Sequence, residues 1–291
     1  MAVVDKIQAY WEEIVRSNLS RENHQSWVSK KLLLHERRGA KVVRITAEGV
    51  PYRSTMISSL EQHVDYQLYV TFFIKQGDHF YIEEGQEQHR AIFKGNKMVE
   101  DWSLGVRDTI TDASPGLEFD NVNESEVHEV RFNYDRQKAV QYANRWWNSY
   151  NPQYKHFEND CTNFISQCLR AGGAPMWGMH NRSKGWWYSA SSWSYSWTVA
   201  NSLRWYLSGA KKGLNGKEVS QARDLIPGDI ICYDFEGDGR WNHNTIVVEK
   251  DAFGEPLVNA HTYNSYHRYW DYEDSTAYTP QIKYKFFRIG E

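Results

Sequence analysis

The sequence predicts an α+β protein in which a small α+β domain (residues 1–132) precedes a larger domain (residues 133–291) of helices packed on an antiparallel sheet. Two observations support this fold class. The first part begins with a helical pattern and continues with strand-like runs, and in the second part the helical segments come before the strands. Helices and strands that are segregated along the chain are typical of α+β folds. A polar stretch between the two parts indicates a linker.

The first part reads as one helix followed by an antiparallel meander. Apolar residues recur at helical spacing from Val4 to Asn18. Glycine-containing turns follow Lys75 and precede Glu87, and four strands are predicted around them: Lys41–Ala47, Tyr66–Lys75, His79–Glu84 and Glu87–Lys94. No catalytic pattern occurs here, so we expect a structural or substrate-orienting module. The polar segment Asp108–Asn133 is the predicted linker, with one strand at Val127–Phe132.

The second part divides into helices and then strands. The predicted helices are Asp135–Tyr150, which Asn151-Pro152 ends, Cys161–Gly172 and Trp197–Leu207. The predicted strands begin at Ile230, His243, Pro256 and Lys283, and the first of them follows a Pro-Gly-Asp turn.

Composition narrows the function classes. The net charge of -3 gives no excess of positive charge of the kind that binds nucleic acid. No apolar run approaches the ~18 residues of a membrane span, so we expect no membrane insertion. The N-terminus lacks a basic start followed by an apolar stretch, which predicts a cytoplasmic protein; a secreted or cell-wall-associated protein is expected if the sequence has been trimmed.

Three cysteines without a CxxC pair argue against a disulfide framework and a zinc ribbon, and they leave room for a reactive thiol. Residues 234–240 begin like a calcium loop, but position twelve is Thr245 instead of glutamate, so a polar hairpin loop is the better interpretation. We therefore expect no metal and no cofactor.

Cys161 is the strongest candidate for a nucleophile. Asn159 and Asp160 are good N-cap residues, which places Cys161 in the first turn of a helix. The helix dipole and the free amides there favour a thiolate, and the amides can also donate to an oxyanion. Cys168 and Cys232 lie in apolar patterns and are expected to be buried hydrophobic residues.

His243 is the candidate base, because it stands at the start of a strand after a polar loop. A third polar group normally orients such an imidazole. Asn259 and His261 are two residues apart on the next strand and share a face, so only one of them is expected to touch the His243 ring.

Aromatic residues point to a surface that holds a ligand, since eight of the 13 tryptophans fall between Trp146 and Trp205. Tyr154, upstream of the cysteine helix, either donates to an oxyanion or packs in the core. The long segment 177–195 either forms a wall of the substrate groove or covers the core. The candidates for substrate binding are Asp160, Tyr154, Trp186, Trp187 and Trp193.

Five motifs together resemble the bacterial putative amidase domain, a family related to cell-wall cysteine peptidases and amidases with a circularly ordered, papain-like core. These motifs are the DCTNFISQ run at Asp160, the Gly-Gly pair after it, the PGDII turn at Pro227, the NHNTIVV run at Asn242 and the Ala-His-Thr at Ala260.

The resemblance implies a papain-like cysteine hydrolase core that cleaves amide bonds. It also implies a thiolate at Cys161 and a base at His243. The related cell-wall peptidases often have a histidine one strand later as the third residue, which favours His261 over Asn259. The usual targets are peptidoglycan stem peptides or the muramoyl–alanine amide, so a peptide or peptidoglycan fragment is the expected partner.

Two other functions use the same features. Acyl transfer would proceed through the same acyl-enzyme, with an amine or alcohol in place of water. A non-catalytic carbohydrate- or peptide-binding module would use the tryptophan-rich loop and would not need the thiol.

Overall fold

The computed structural model of the protein describes residues 2–19, 27–105, 117 and 132–290. They form two compact units. The first comprises the described residues up to 105 together with Tyr263–Tyr266 and Glu273–Thr276. The second comprises the described residues from 117 to 262, His267–Tyr272 and residues 277–290. The predicted linker and its strand fall almost entirely outside the described residues, so the predicted boundary at residue 132 stays a prediction.

The first unit is a pair of helices on an antiparallel meander. Its helices are α1 (Val3–Leu19) and α2 (Trp27–Arg37), and its strands are β1 (Ala40–Met56), β2 (Glu61–Gln76), β3 (His79–Lys94) and β4 (Lys97–Ser103). Consecutive strands pair throughout. Gly49 on β1 lets α1 approach closely, since a Cβ there would lie 2.3 Å from Ile7 Cγ2. The predicted α1 and the meander are therefore present.

Three features of this unit differ from the prediction. The turn expected at Gly85 does not form, because Val70 pairs with this residue inside a continuous β3. The helix α2 and the strand β4 were not predicted. In α2, Ser29, Lys31 and His35 are buried along with the apolar residues, so the helix lacks a clean apolar stripe.

The second unit contains a five-stranded antiparallel sheet. The strands are β5 (Gly216–Val219), β6 (Ile230–Asp234), β7 (His243–Lys250), β8 (Pro256–Ala260) and β10 (Lys283–Ile289), in the order β8-β7-β6-β10-β5. A further strand, β9 (Asn264–Tyr269), begins among the residues of the first unit, where its first half pairs with β3. The four predicted strands are present, whereas β5 and β9 were missed.

Helices cover one face of this sheet. They are α3 (Arg136–Trp146), α4 (Cys161–Ala171), α5 (Tyr195–Thr198) and α6 (Ala200–Gly209). The helix predicted at Trp197–Leu207 is split into α5 and α6, because Val199 between them is extended. The core on this face includes Phe164, Leu203, Ile246 and Phe287. The α+β class with an antiparallel sheet is thus confirmed.

The opposite face carries a second, aromatic core. It is formed by Tyr233, Phe235, Val247, Tyr272 and their neighbours. Because side chains alternate along a strand, residues 243, 245 and 247 of β7 point toward this aromatic core, while residues 244, 246 and 248 point toward the helices. None of the helices in the described part of the chain has the length and hydropathy that crossing a bilayer requires.

Asp229, in the Pro-Gly-Asp turn before β6, connects the start of α3 to β10. Its fully buried carboxylate pairs with Arg136 at 2.5 Å and with Arg288 at 3.1 Å. It also accepts the backbone N–H groups of Ile226 and Ile289. Burial raises the pKa of the Asp229 carboxyl above its usual 3.8, although Arg136 and the amides act in the opposite direction.

Replacing Asp229 with asparagine should lower the free energy of unfolding by about 3 kcal/mol, because it leaves two guanidinium groups without their carboxylate. Urea denaturation measures the change. Asp224→Asn, at an exposed carboxylate nearby, serves as the control and should change stability by less than about 0.5 kcal/mol. Equal stabilities of the two variants would contradict this role of Asp229.

Candidate functional site

Cys161 is the first residue of α4, as predicted, and lies almost fully buried. Asp160 precedes it at the N-cap position. The Asp160 carboxylate does not cap the helix backbone; its Oδ1 accepts the Phe157 N–H at 3.0 Å and the Asn163 side-chain amide at 2.9 Å. Asp160 therefore holds the segment that precedes α4 against the first turn of this helix, and its carboxylate is buried.

The Cys161 sulfur lies where α4 meets β7. It is 3.6 Å from Thr162 Oγ1, and the backbone N–H of Asn244 is directed at it. The Asn244 side-chain amide donates to Thr162 Oγ1 at 3.0 Å, which ties the helix turn to the strand. A backbone N–H of a strand lies near the plane of its sheet. The sulfur thus sits beside the peptide that joins His243 to Asn244.

The thiol of Cys161 is protonated in this state. Burial raises its pKa above the usual 9.0, although contacts with Thr162 and the Asn244 N–H lower it. The expectation that the helix terminus would favour a thiolate is therefore not met here, because desolvation outweighs the dipole and the amides.

His243 stands at the start of β7, as predicted, with its ring in the aromatic core. Tyr233, Phe235 and Tyr272 surround the ring with centroid distances of 5.2–6.0 Å. His243 Nε2 and the Tyr272 hydroxyl are 3.1 Å apart. Among the described residues, no hydrogen bond reaches His243 Nδ1. Burial, together with the nearby charge of Arg268, lowers the pKa of His243 to about 3, so the imidazole is neutral.

Within the described structure, no hydrogen bond joins the Cys161 thiol to the His243 ring. The two are neighbours through the backbone: the sulfur contacts the N–H of residue 244, and the imidazole belongs to residue 243. The structure brings the sulfur to the backbone beside His243 on the helix-covered face, whereas the imidazole points into the aromatic core on the opposite face, with both groups uncharged. Their pairing in catalysis stays a prediction.

The two candidates for orienting His243 both bond elsewhere. Asn259 donates to Asn144 Oδ1 at 2.9 Å and accepts the His267 N–H at 2.9 Å. His261 bonds Asp160 and the Trp146 carbonyl. The expectation that one of them touches the His243 ring is corrected, because Tyr272 occupies that position. Both point to the helix-covered face, opposite to the His243 ring.

His261 is hydrogen-bonded at both ring nitrogens. Its Nδ1 lies 2.9 Å from the Asp160 carboxylate, and its Nε2 lies 2.7 Å from the Trp146 carbonyl oxygen. The ring also stacks on Phe164 at a centroid distance of 3.9 Å. The buried contact of His261 with Asp160 fixes the residue next to Cys161.

The aromatic candidates separate into buried and accessible residues. Trp186 and Trp187 are 0% and 1% exposed, and the Trp186 indole donates to Ser166 Oγ inside the core. Their predicted place in the groove wall is therefore corrected: they support the loop from within. Tyr154 stacks on Trp197 and contacts the Tyr188 ring at a tilted angle.

The pKa of Tyr154 is raised by burial, and the charged neighbour that acts on it is Arg170, in the last turn of α4. The role of Tyr154 as an oxyanion donor stays a prediction. Trp193 is only partly buried, and it is the tryptophan among the candidates that remains accessible to a ligand.

Sequence reasoning missed Tyr272, Asn244 and Thr162. Tyr272 is 29 residues from His243 and follows an unpredicted strand, so spacing gave no signal. Its φ of 60° is unusual for a tyrosine and marks a conformation that the surrounding structure enforces. Asn244 and Thr162 each adjoin a predicted catalytic residue, and a systematic check of the neighbouring polar side chains would have found them.

The described residues contain no cluster of three or more His, Cys, Asp or Glu side chains suited to a metal ion. In the loop after β6, the Asp234 carboxylate accepts the N–H groups of Gly237, Asp238 and Gly239 at 2.7–3.2 Å. These bonds account for the acidic and glycine pattern as a compact hairpin loop.

Comparisons with known proteins agree with the second unit's motifs. Residues 133–287, more than half of the chain, match the profile of a family described as a putative amidase domain. The uncharacterized protein YhbB of Bacillus subtilis (strain 168) is 47% identical over 267 residues, which cover 89% of this chain and 84% of YhbB. The similarity to YhbB therefore extends well beyond the family match. The uncharacterized protein YjcM of the same strain is 31% identical over 143 residues, 46% of this chain and 31% of YjcM. No solved structure matches the chain.

The raised pKa of Cys161 makes its alkylation strongly pH-dependent. The rate of reaction with iodoacetamide should rise up to and beyond pH 9, because only the thiolate reacts. Peptide mapping by mass spectrometry distinguishes Cys161 from Cys168 and Cys232. A rate plateau already reached near pH 7 would show a thiolate in the resting protein and contradict the neutral thiol.

The lowered pKa of His243 makes the fold sensitive to acid. Between about pH 6.5 and 3 the unfolded chain binds a proton at this ring and the folded chain does not, so stability falls as pH falls. The contribution approaches ~1.4 kcal/mol per pH unit. Urea unfolding from pH 7 to pH 4 should show a shallower loss for His243→Gln than for the wild type. Parallel curves would rule out this contribution of His243.

Proposed function

This chain belongs to the putative amidase domain family, and on that premise we propose that it hydrolyses amide bonds with Cys161 as nucleophile and His243 as base. The observation that carries the proposal is the position of the sulfur at the start of α4, beside the peptide between His243 and Asn244. Cys168 and Cys232, the other two cysteines, are fully buried members of the hydrophobic core.

Tyr272 prepares His243 for proton transfer. A hydrogen bond donated by Nε2–H to the tyrosine hydroxyl selects the tautomer in which Nδ1 carries a lone pair. The hydroxyl accepts this bond equally well when the ring is an imidazolium. Tyr272 therefore orients the resting ring, which is the role that a carboxylate or amide fills in other triads.

In the proposed reaction, the Cys161 sulfur attacks the substrate carbonyl carbon while its proton passes to His243 Nδ1. The tetrahedral intermediate then collapses: the C–N bond breaks, the amine leaves with the proton from His243, and a thioester remains. Water attacks the thioester with His243 accepting its proton, and that proton returns to the sulfur as the acid is released.

Because the resting thiol and imidazole are both neutral, the proton moves during attack instead of beforehand. The His243 ring has to rotate out of the aromatic core for this step, so that its Nδ1 turns toward the sulfur.

Asn244 and Thr162 supply polar contacts for the substrate. The backbone N–H groups of both residues are directed at the sulfur, so they lie close to a carbonyl that is bonded to it. The buried Asn244 Oδ1 has no hydrogen-bond partner among the described residues. An N–H of a bound amide substrate would satisfy it.

The proposed substrate class is the peptide of peptidoglycan or its fragments, cut in the stem peptide or at the muramoyl–alanine amide. Its support is the motif resemblance, which also underlies the proposal of a papain-like core for the second unit. The order of a cysteine helix followed by a strand that carries histidine agrees with such a core. The proposals of this substrate class and of a papain-like core depend on that resemblance. The proposal that Cys161 is the nucleophile has separate support in the position of its sulfur.

Replacing Cys161 with alanine should lower amide hydrolysis by at least about a thousandfold, because the acyl-enzyme cannot form. The test incubates the full chain with muramidase-digested peptidoglycan and identifies new amines and acids by mass spectrometry. Cys168→Ala is the matched control: it removes a thiol from the same helix and should retain hydrolysis. Equal product formation by wild type and Cys161→Ala would refute the nucleophile. Absence of product with the wild type would refute peptidoglycan as the substrate.

A further inference from the structure

Two cationic side chains, Lys155 and Arg182, lie over the ring of Trp193. Lys155 Nζ lies 5.0 Å from the centroid of the Trp193 ring, and Arg182 Cζ lies 5.8 Å from it. The Lys155 ammonium also lies 5.6 Å from the Phe157 ring, and the Arg182 guanidinium lies 4.8 Å from the Tyr195 ring. We refer to Lys155, Phe157, Arg182, Trp193 and Tyr195 as the cation–aromatic cluster.

The cluster has more positive charge than its surroundings neutralise. Lys155 and Arg182 repel each other electrostatically, and no carboxylate of the described residues forms an ion pair with either of them. Both side chains are exposed, and Trp193 is partly buried. Aromatic faces reduce the cost of bringing the cations together but do not cancel their charge. A bound anion that contacts both Lys155 and Arg182 would neutralise this charge.

Hydrogen bonds fasten the cluster to the first turn of α4. The Lys155 carbonyl accepts the Asn163 side-chain amide at 3.0 Å, and this amide also bonds Asp160. The Phe157 N–H donates to the same Asp160 carboxylate. Cys161 is the fourth residue after Phe157, so the Cα atoms of these two residues are at most about 15 Å apart. The segment that carries Lys155 and Phe157 is thus attached to the helix turn that carries Cys161.

The loop that carries Arg182 and Trp193 is held in place as well. Arg182 Nε donates to the Trp193 carbonyl at 3.1 Å, and the Tyr195 N–H donates to the Arg182 carbonyl at 2.8 Å. The Trp193 ring stacks with Tyr188, whose hydroxyl accepts the Lys155 N–H at 2.8 Å. Both cations are therefore attached to segments that are bonded to each other, and a ligand would find the arrangement largely formed.

We infer that the cation–aromatic cluster is a carboxylate-binding subsite, which selects peptide amides that carry a free carboxylate a short distance from the bond that is cut. This inference rests on the proposed function. The Arg182 guanidinium would bind the carboxylate in bidentate fashion, the Lys155 ammonium would add charge, and the Trp193 face would pack against the chain of the peptide.

The first test measures binding to the full-length Cys161→Ala chain by isothermal titration calorimetry at low ionic strength. The probes are acetyl-trialanine with a free carboxylate and the same peptide as its carboxamide. The free acid should bind about tenfold more tightly, as expected for hydrogen bonds to a charged group. When Lys155→Gln and Arg182→Gln are added to the Cys161→Ala chain, its affinities for the acid and the carboxamide should lie within about twofold of each other.

Lys212→Gln is the matched control, because Lys212 also lies over a tryptophan, Trp177, at 5.2 Å but outside the cluster. It should leave the preference for the acid unchanged. Equal affinities for acid and amide, or a preference that survives in the double variant, would overturn the subsite.

A second measurement does not depend on peptide affinity. Iodoacetate carries a carboxylate and iodoacetamide does not, so the ratio of their rates at Cys161 reports the positive potential near the sulfur. At an ionic strength of about 0.01 M, where the screening length is about 30 Å, the double variant should lower this ratio at least about twofold relative to wild type and Lys212→Gln. An unchanged ratio, together with no measurable binding of the acid peptide, would also overturn the inference.

The two proposals fail separately. If the protein hydrolyses amides but shows no preference for the free acid, the subsite is refuted and the proposed amidase function is retained. If it prefers the acid peptide but hydrolyses no amide, the amidase function is refuted and the binding of anions is retained.

Discussion

The site depends on the way α4 is buried against β7. Nine of the eleven residues of this helix are buried, so its first turn is placed by packing on the sheet as well as by its cap. The hydrogen bond from Asn244 to Thr162 then fixes the register between helix and strand. Because Cys161 and His243 adjoin these two residues, a single contact sets the position of the thiol relative to the strand that carries the imidazole.

Burial also determines the charge state of the site. The same packing that places Cys161 withdraws it from water, and the helix terminus does not restore a thiolate. His243 is neutral for the same reason. His261 and Asp160 are also buried, and every polar atom of the ring and the carboxylate is hydrogen-bonded, as is usual for buried polar groups.

Local patterns predicted much of the second unit. The helix start at Cys161, the strand start at His243 and the layered α+β arrangement all follow from caps, turns and apolar periodicity, which act over a few residues. The partner of the His243 ring could not be predicted in this way. Tyr272 reaches it through a left-handed backbone position that follows an irregular stretch, and no local rule fixes that geometry. The sequence also could not show which of the tryptophans would be buried, because Trp186 and Trp193 lie in the same irregular loop.

The histidine at position 261 illustrates why position on a strand does not determine a role. It directly follows β8, the strand next to β7, where the third residue of a triad was expected, yet it faces the other side of the sheet from the His243 ring and bonds Asp160, the residue before Cys161. Its hydrogen bond holds the Asp160 carboxylate, and this carboxylate holds both the helix turn and the segment that leads to Lys155 and Phe157. His261 therefore acts on the site through the backbone that surrounds Cys161. The same bonds connect α4 to the cation–aromatic cluster, so the proposed nucleophile and the proposed carboxylate subsite are both positioned by one buried contact between His261 and Asp160.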